Sequence, residues 1–332
     1  MVAVVILVGL FVWAVVDVVL LTFAGILFAI VLRSVSAWVC AYTPLTEGWA
    51  LAVVVLGLVT LLGGGAWLLA PQVAEQGHRL IERLPHAVQQ VKEQVEQYQW
   101  SRRLFSQAPQ VEEMLPDQAD LLAEATGVFS TTLGALANVV IILFVGLFLA
   151  VEPRLYTDGL IRLVPIGKRA RAREILYAVG DVLQWWLVGK VVAMLMIGVL
   201  TALGLWLLGV ELALTLGLIA ALLTFIPNIG PVLALVPAVL LALMHSPTQA
   251  LYVILLYLAI QTVESYVLTP LVQRRTVSLP PALTISAQVA LGVLLGGLGL
   301  VLATPLTVAL LVLIQRLYIE DTLGDPVNVP DH

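Results

Sequence analysis

The chain has 332 residues, 61% of them apolar and 11% charged, with a net charge of −5 and a mean hydropathy of +1.05. Average soluble domains are roughly 45–50% apolar and roughly 25% charged, and a globule of this length could not cover its surface with so few charges. The composition excludes a soluble enzyme, a disordered chain and a nucleic-acid binder, and it indicates an integral membrane protein. The single cysteine, Cys40, excludes an intramolecular disulfide and a cysteine-cluster metal site. His78, His86, His245 and His332 are scattered, and none stands at metal-ligand spacing from a carboxylate.

Unpaired backbone groups cannot face lipid, so the spanning elements must be closed. The long uncharged runs lack the alternation of barrel strands, and an all-α fold is expected. Met1 leads straight into apolar sequence without a basic lead or a small-residue cleavage site, so no signal peptide is expected. Residues 2–41 are apolar apart from Asp17 and Arg33, and they predict two tight spans turning at Asp17, with one long tilted helix as the competing reading. Residues 49–69, 131–151, 187–208 and 251–268 are each close to the ~20 residues that cross a bilayer core. These runs assign residues 1–69 and 128–151 to membrane helices and residues 187–316 to a second membrane region. Residues 70–127 form a soluble insert with helical periodicity, divided by Pro85, Pro109 and Pro116. Residues 152–186 form a basic segment, of which 162–182 reads as an amphipathic helix on the inner leaflet. Residues 317–332 form an acidic tail.

Two runs are too long for single spans. Residues 212–244 are broken at Pro227-Asn228-Ile229-Gly230-Pro231, and residues 283–314 at Gly296-Gly297-Leu298-Gly299. An unbroken helix over either run would reach roughly 48 Å, against a hydrocarbon core of ~30 Å. Pro231 has no N–H to donate, and Pro227 disfavours helix before it. Each run is read as a re-entrant hairpin of two half-length helices. The fold expected is about six transmembrane helices plus two opposed hairpins.

Orientation follows from Lys and Arg. Arg154, Arg162, Lys168, Arg169, Arg171 and Arg173 crowd one short connection, and Arg274 and Arg275 mark another, so both should be cytoplasmic. Parity then places the insert outside, makes the two hairpins enter from opposite faces, and returns the C-terminus to the cytoplasm. Trp38, Trp49, Trp185 and Trp186 fall at the expected inner boundaries, and Trp67 and Trp206 at the outer ones.

Paired broken segments are the pattern of a secondary transporter, whose half-helix ends meet a polar solute near mid-membrane. Candidate solute-binding residues are Asn228, at the first tip, and Gln261 with Glu264, one turn apart. A carboxylate within a span is costly and points to function by default. Pro227, Gly230, Pro231, Gly296, Gly297, Gly299 and Pro305 are the candidate tip residues, with helix–helix packing as the alternative for the glycines. Asp17 and Lys190 read as charges at the edges of spans. No P-loop, G-x-S-x-G or H-E-x-x-H sequence is present, so ATP-driven pumping and intramembrane catalysis have no residues to support them, and no cofactor or metal is called for.

Three stretches carry a family resemblance: Phe225-Ile226-Pro227-Asn228-Ile229-Gly230-Pro231-Val232, followed by Val236-Pro237-Ala238; Gln261-Thr262-Val263-Glu264, leading to Leu268-Thr269-Pro270-Leu271-Val272 and Leu279-Pro280-Pro281; and Gly292, Gly296 and Gly299 with Ala303-Thr304-Pro305-Leu306. The tail from Tyr318 to Asp325 adds to it. The chain resembles the autoinducer-2 exporter family of bacterial permeases over nearly its whole length. The resemblance implies a multi-pass inner-membrane transporter assembled as a homo-oligomer, a pentamer. The implied solute is a small polar quorum-sensing sugar derivative. Some relatives are described as sodium or lithium/proton antiporters. A cation/proton antiporter centred on Glu264 and a non-transporting membrane scaffold are the alternative functions.

Overall fold

The computed structural model describes residues 2–61, 63–65, 67, 75, 76, 79, 118–268, 270 and 279–325. All its regular elements among the described residues are helical. Five helices there are long and apolar enough to cross a membrane, or six if one sharply bent pair is a single span. Most of the insert at 70–127 lies outside the described residues, as do residues 271–278.

Helix α1 (Val2–Tyr42) is one continuous element of 41 residues. The expected turn at Asp17 is absent. The reason is local: Asp17 is flanked by Val15-Val16 and Val18-Val19, with neither Gly nor Pro beside it. A lone Asp costs a helix only a few tenths of a kcal/mol relative to better formers, and does not reverse a chain. Helix α2 (Glu47–Gly65) returns after a short link, and Arg33 bridges to Glu47 near its start at 3.1 Å.

Helix α3 (Gln118–Val151) crosses α1 where Gly25 and Gly146 face each other. A Cβ on Gly146 would stand 2.8 Å from the Gly25 carbonyl, so only hydrogen allows this approach. The chain then bends by 85° into α4 (Pro153–Arg162), with Pro153 at the first turn. Helix α4 leaves Leu155, Leu160 and, just after it, Leu163 exposed.

Helix α5 (Arg169–Leu207) runs unbroken from the basic segment into the apolar one. The basic helix read at 162–182 is therefore the lower part of a longer helix from Arg169 onward. Its charges are tied locally. Arg173 bridges to Asp158 at 2.7 Å, and the Arg169 guanidinium donates to the carbonyls of Val164 and Arg162. Arg171 meets Glu174, Glu320 and Asp321 at 2.7–3.0 Å. The last two belong to the C-terminal π-helix, Gln315–Leu323, which is thereby pinned against the start of α5.

Helix α5 ends in a glycine cap. The Gly209 N–H donates to the Trp206 carbonyl and the Val210 N–H to the Leu205 carbonyl, with Gly209 at φ +68°. Helices α6 (Ala213–Leu223) and α7 (Ile229–His245) follow as a tight pair. Helix α8 (Pro247–Val263) opens on Ser246, whose hydroxyl accepts from the Gln249 N–H at 3.1 Å, and closes in a π turn at Glu264–Leu268. Buried Leu205, Leu216, Ala238 and Val253 join α5 to α8 in one apolar core.

Helix α9 (Pro281–Ile314) is broken at Gly296, where φ is +66° and ψ −152°. That region is open essentially to glycine alone. Beyond it the chain folds back: a Cβ on Gly299 would overlap the Leu291 carbonyl oxygen, and one on Gly292 would touch Leu300. The α6–α7 pair is sewn in the same way, because a Cβ on Gly230 would overlap the Leu223 carbonyl oxygen. A second core joins Leu20 and Leu27 of α1, Leu183 of α5, and Leu302 and Val312 of α9.

These contacts separate the tip glycines. Gly230→Ala should destabilise the protein by ~1–3 kcal/mol or more, because a carbonyl cannot yield as a side chain can. A Cβ on Gly297 meets nothing within 4 Å, so Gly297→Ala should be neutral or stabilising by up to ~1 kcal/mol. Melting temperatures of the two variants in detergent check this, and equal losses would refute it.

Candidate functional site

The tip between α6 and α7 is built from breaks in the helical ladder. The Thr224 N–H and hydroxyl both donate to the Ala220 carbonyl, at 3.0 and 2.6 Å. The Phe225 and Ile226 N–H groups then tighten the turn onto Leu222 and Leu223. Pro227 brings no N–H, and the chain reverses around Asn228 at φ +65°, ψ −48°. The Ile229 N–H closes back on the Pro227 carbonyl at 2.7 Å, a γ-turn with positive φ. Such turns are rare and strained for an L-residue.

The Pro227 carbonyl takes a second hydrogen bond from α9. Gln288 Nε2 donates to it at 2.9 Å, and lies 3.5 Å from Thr304 Oγ1 across the second hairpin. Gln288 is fully buried, at 0% exposure. Its Nε2 therefore joins both arms of the broken helix α9 to the broken tip of α6–α7. Phe225 completes the junction with an edge-on contact to Trp186 of α5, at 5.8 Å between centroids. Trp186 is thus a core residue under the tip, 8% exposed. Trp38, Trp49, Trp67 and Trp206 are exposed.

The sequence candidates divide between this junction and a second place. Pro227 supplies the junction's central carbonyl. Gly230 and Gly299 let the hairpin arms touch, and Gly296 supplies the break in α9. Gly297 has open space around it, Pro231 lies in the first turn of α7, and Pro305 is buried in the second arm beside Thr304. The Asn228 side chain is exposed and makes no capping hydrogen bond, so its work at the tip is done by the backbone.

Gln261 and Glu264 meet elsewhere, where α8 passes into its π turn. Gln261 Nε2 donates to Glu264 Oε2 at 3.2 Å. Both are half-buried. Lys190 of α5 lies within electrostatic reach of Glu264. The π turn is itself a common mark of functional positions. Tyr257, on the same helix, donates to the Ala234 carbonyl at 3.2 Å and straps α8 to α7.

Gln288 was not legible as a site from sequence. One signal was present: it is the only amide or charged residue between Pro281 and Ile314.

A family model for AI-2E family transporters matches residues 1–319. The chain belongs to the AI-2E family of transporters. Among curated relatives, YueF of Bacillus subtilis, provisionally named a transport protein, is 24% identical over 262 residues, covering 75% of this chain and 70% of its own. YrrI of the same organism, named in the same way, is 32% identical over 151 residues, covering 46% and 43%. The AI-2 transport protein TqsA of Escherichia coli is 29% identical over 204 residues, covering 60% and 56%. With its apolar helices, this membership makes the protein a multi-pass membrane protein of a transporter family.

The strained tip yields a test. Asn228→Gly removes the side chain and accommodates φ +65°, so it should leave stability unchanged or raised. Asn228→Ala removes the same side chain but pays about 1 kcal/mol for left-handed backbone. Thermal melts of the two variants in detergent separate side chain from backbone, and a greater loss for glycine would contradict the geometry.

Proposed function

We propose that the protein is a secondary transporter moving a small polar solute, of the autoinducer-2 kind, across the bacterial inner membrane by alternating access. The observation that carries this reading is the hydrogen bond from Gln288 to Pro227, which joins two helix breaks inside one bundle. Discontinuous helices meeting at their broken ends are where carriers hold solutes. Helices α6 and α7 have 11 and 17 residues. At 1.5 Å per residue they reach about 16 and 25 Å, short of the ~30 Å core. This supports reading the pair as a re-entrant hairpin, and α9 folded at Gly296 as its counterpart from the opposite face. The solute class follows the printed name of TqsA and is extended to this chain as part of the proposal. Assembly as a homo-oligomer, a pentamer, belongs to the same reading, with solute and lipid as the remaining partners.

A second reading is favoured by one arrangement. Glu264, with Gln261 bonded to it and Lys190 within reach, is suited to proton or sodium coupling. It supplies either the driving ion of a solute carrier or the cargo of a cation/proton antiporter.

The orientation is testable by labelling. Single cysteines at Gln97 and Lys168, in a Cys40→Ser background, should react from opposite sides of intact cells. Lys168 serves better than Arg171, whose guanidinium holds the tail. Labelling of both from one side refutes this orientation.

The transport reading predicts autoinducer-2 flux into proteoliposomes above that of empty vesicles, dependent on a pH or sodium gradient. Glu264→Gln should remove the gradient dependence. Flux equal to that of empty vesicles would leave the scaffold function, and sodium/proton exchange without solute flux would select the antiporter.

A further inference from the structure

At the junction of the two hairpins two hydrogen-bonding valences are left over. Gln288 Oε1 is buried and has no hydrogen-bond partner among the described residues, although its Nε2 is fully engaged. A buried acceptor without a donor costs roughly 1–3 kcal/mol, so its presence needs a reason. Thr304 is also buried, at 3% exposure. Its neighbours Thr284 and Thr307 turn their hydroxyls onto the carbonyls four residues back, Pro280 and Ala303. Thr304 faces Gln288 instead, and its O–H has no acceptor among the described residues. One free acceptor thus stands beside one free donor, on the two arms of α9.

We infer that Gln288 Oε1 and Thr304 Oγ1 form the binding site for a hydroxyl group of a small neutral polyol, which donates to the first and accepts from the second. The inference rests on the transporter reading and deepens it by naming the chemistry of the solute. A hydroxyl satisfies both valences at once. A bare cation uses acceptors only and needs several oxygens, whereas this place offers one amide oxygen and one hydroxyl. An anion would be buried without a countercharge, because both side chains are neutral. The closed site also has a door. Gln288 is wholly buried, so a solute reaches it only when the α6–α7 tip withdraws and the Nε2 bond to Pro227 opens. The same amide that closes the junction then turns both of its functional groups toward the solute.

The test uses the full chain in detergent and in proteoliposomes, with autoinducer-2, D-ribose and sodium chloride as probes. Gln288→Met keeps the length of the side chain and removes both polar atoms. Thr304→Val keeps shape and removes the hydroxyl, and Thr304→Ser keeps the hydroxyl. Wild type should be stabilised against heat by one or both hydroxylated probes and not by sodium chloride at equal osmolarity. Gln288→Met and Thr304→Val should each raise the KM for flux about tenfold, the order of one lost hydrogen bond, with little change in maximal rate. Thr304→Ser should return to wild type. Gln288→Met and Thr304→Val with unchanged KM and an equal or higher melting temperature would assign the valences to a buried water, overturning the inference while the carrier stands. Stabilisation by sodium chloride alone overturns the polyol chemistry. A wild type that neither binds nor moves any probe overturns the inference together with the reading beneath it.

Discussion

A peptide carbonyl released by a helix break inside an apolar bundle must find a donor. At Pro227 that requirement organises the molecule. The proline ends one ladder and the γ-turn at Asn228 begins the next, and the carbonyl between them takes one proton from its own backbone and one from Gln288. Both of its lone pairs are then used. Lipid could supply neither donor. The break in α6–α7 is therefore tolerable only with α9 beside it. The break in α9 at Gly296 lets its two arms present Gln288 and Thr304 together. Each discontinuity is a condition for the other.

Much of this was legible in one dimension. Apolar runs of spanning length marked the helices, and the two overlong runs marked where helices break, because Pro227, Pro231 and Gly296 act on their own backbones. What depends on partners was not legible. Gln288 looks like an isolated amide in an apolar run until the fold sets Pro227 opposite it. Lys190 looks like an edge charge until α8 brings up Glu264. Trp186 shows no partner until the fold sets Phe225 against it. The misread turn at Asp17 has a different origin. There the length of the run was weighed above the local chemistry, which offered no residue able to reverse the chain. The insert at 70–127 remains a reading from periodicity alone.

Charge at the start of α5 fastens parts together. Arg171 stands in the first turn of α5, where the helix dipole is unfavourable to a cation. Three carboxylates offset this, two of them from the C-terminal π-helix. Exposed ion pairs of this kind are each worth only ~0–1 kcal/mol, so their effect is one of placement more than of stability. They bring the end of α9, and hence its second arm, to the foot of the helix that carries Trp186 and Lys190. The junction and the Glu264 pair are thus both anchored to α5, from two sides.

The glycine sutures have a mechanical consequence. At Gly230 and Gly299 the two arms of a hairpin meet backbone to backbone, with no side chain between them to slide or change rotamer. A side chain added at either place would force the arms apart. Each hairpin is a stiff paddle whose compliance lies at its roots, around Leu208–Leu212 and Ser246 for one and at the ends of α9 for the other. Displacement of either pair as a whole would be felt at its tip, where the Gln288 amide joins the two.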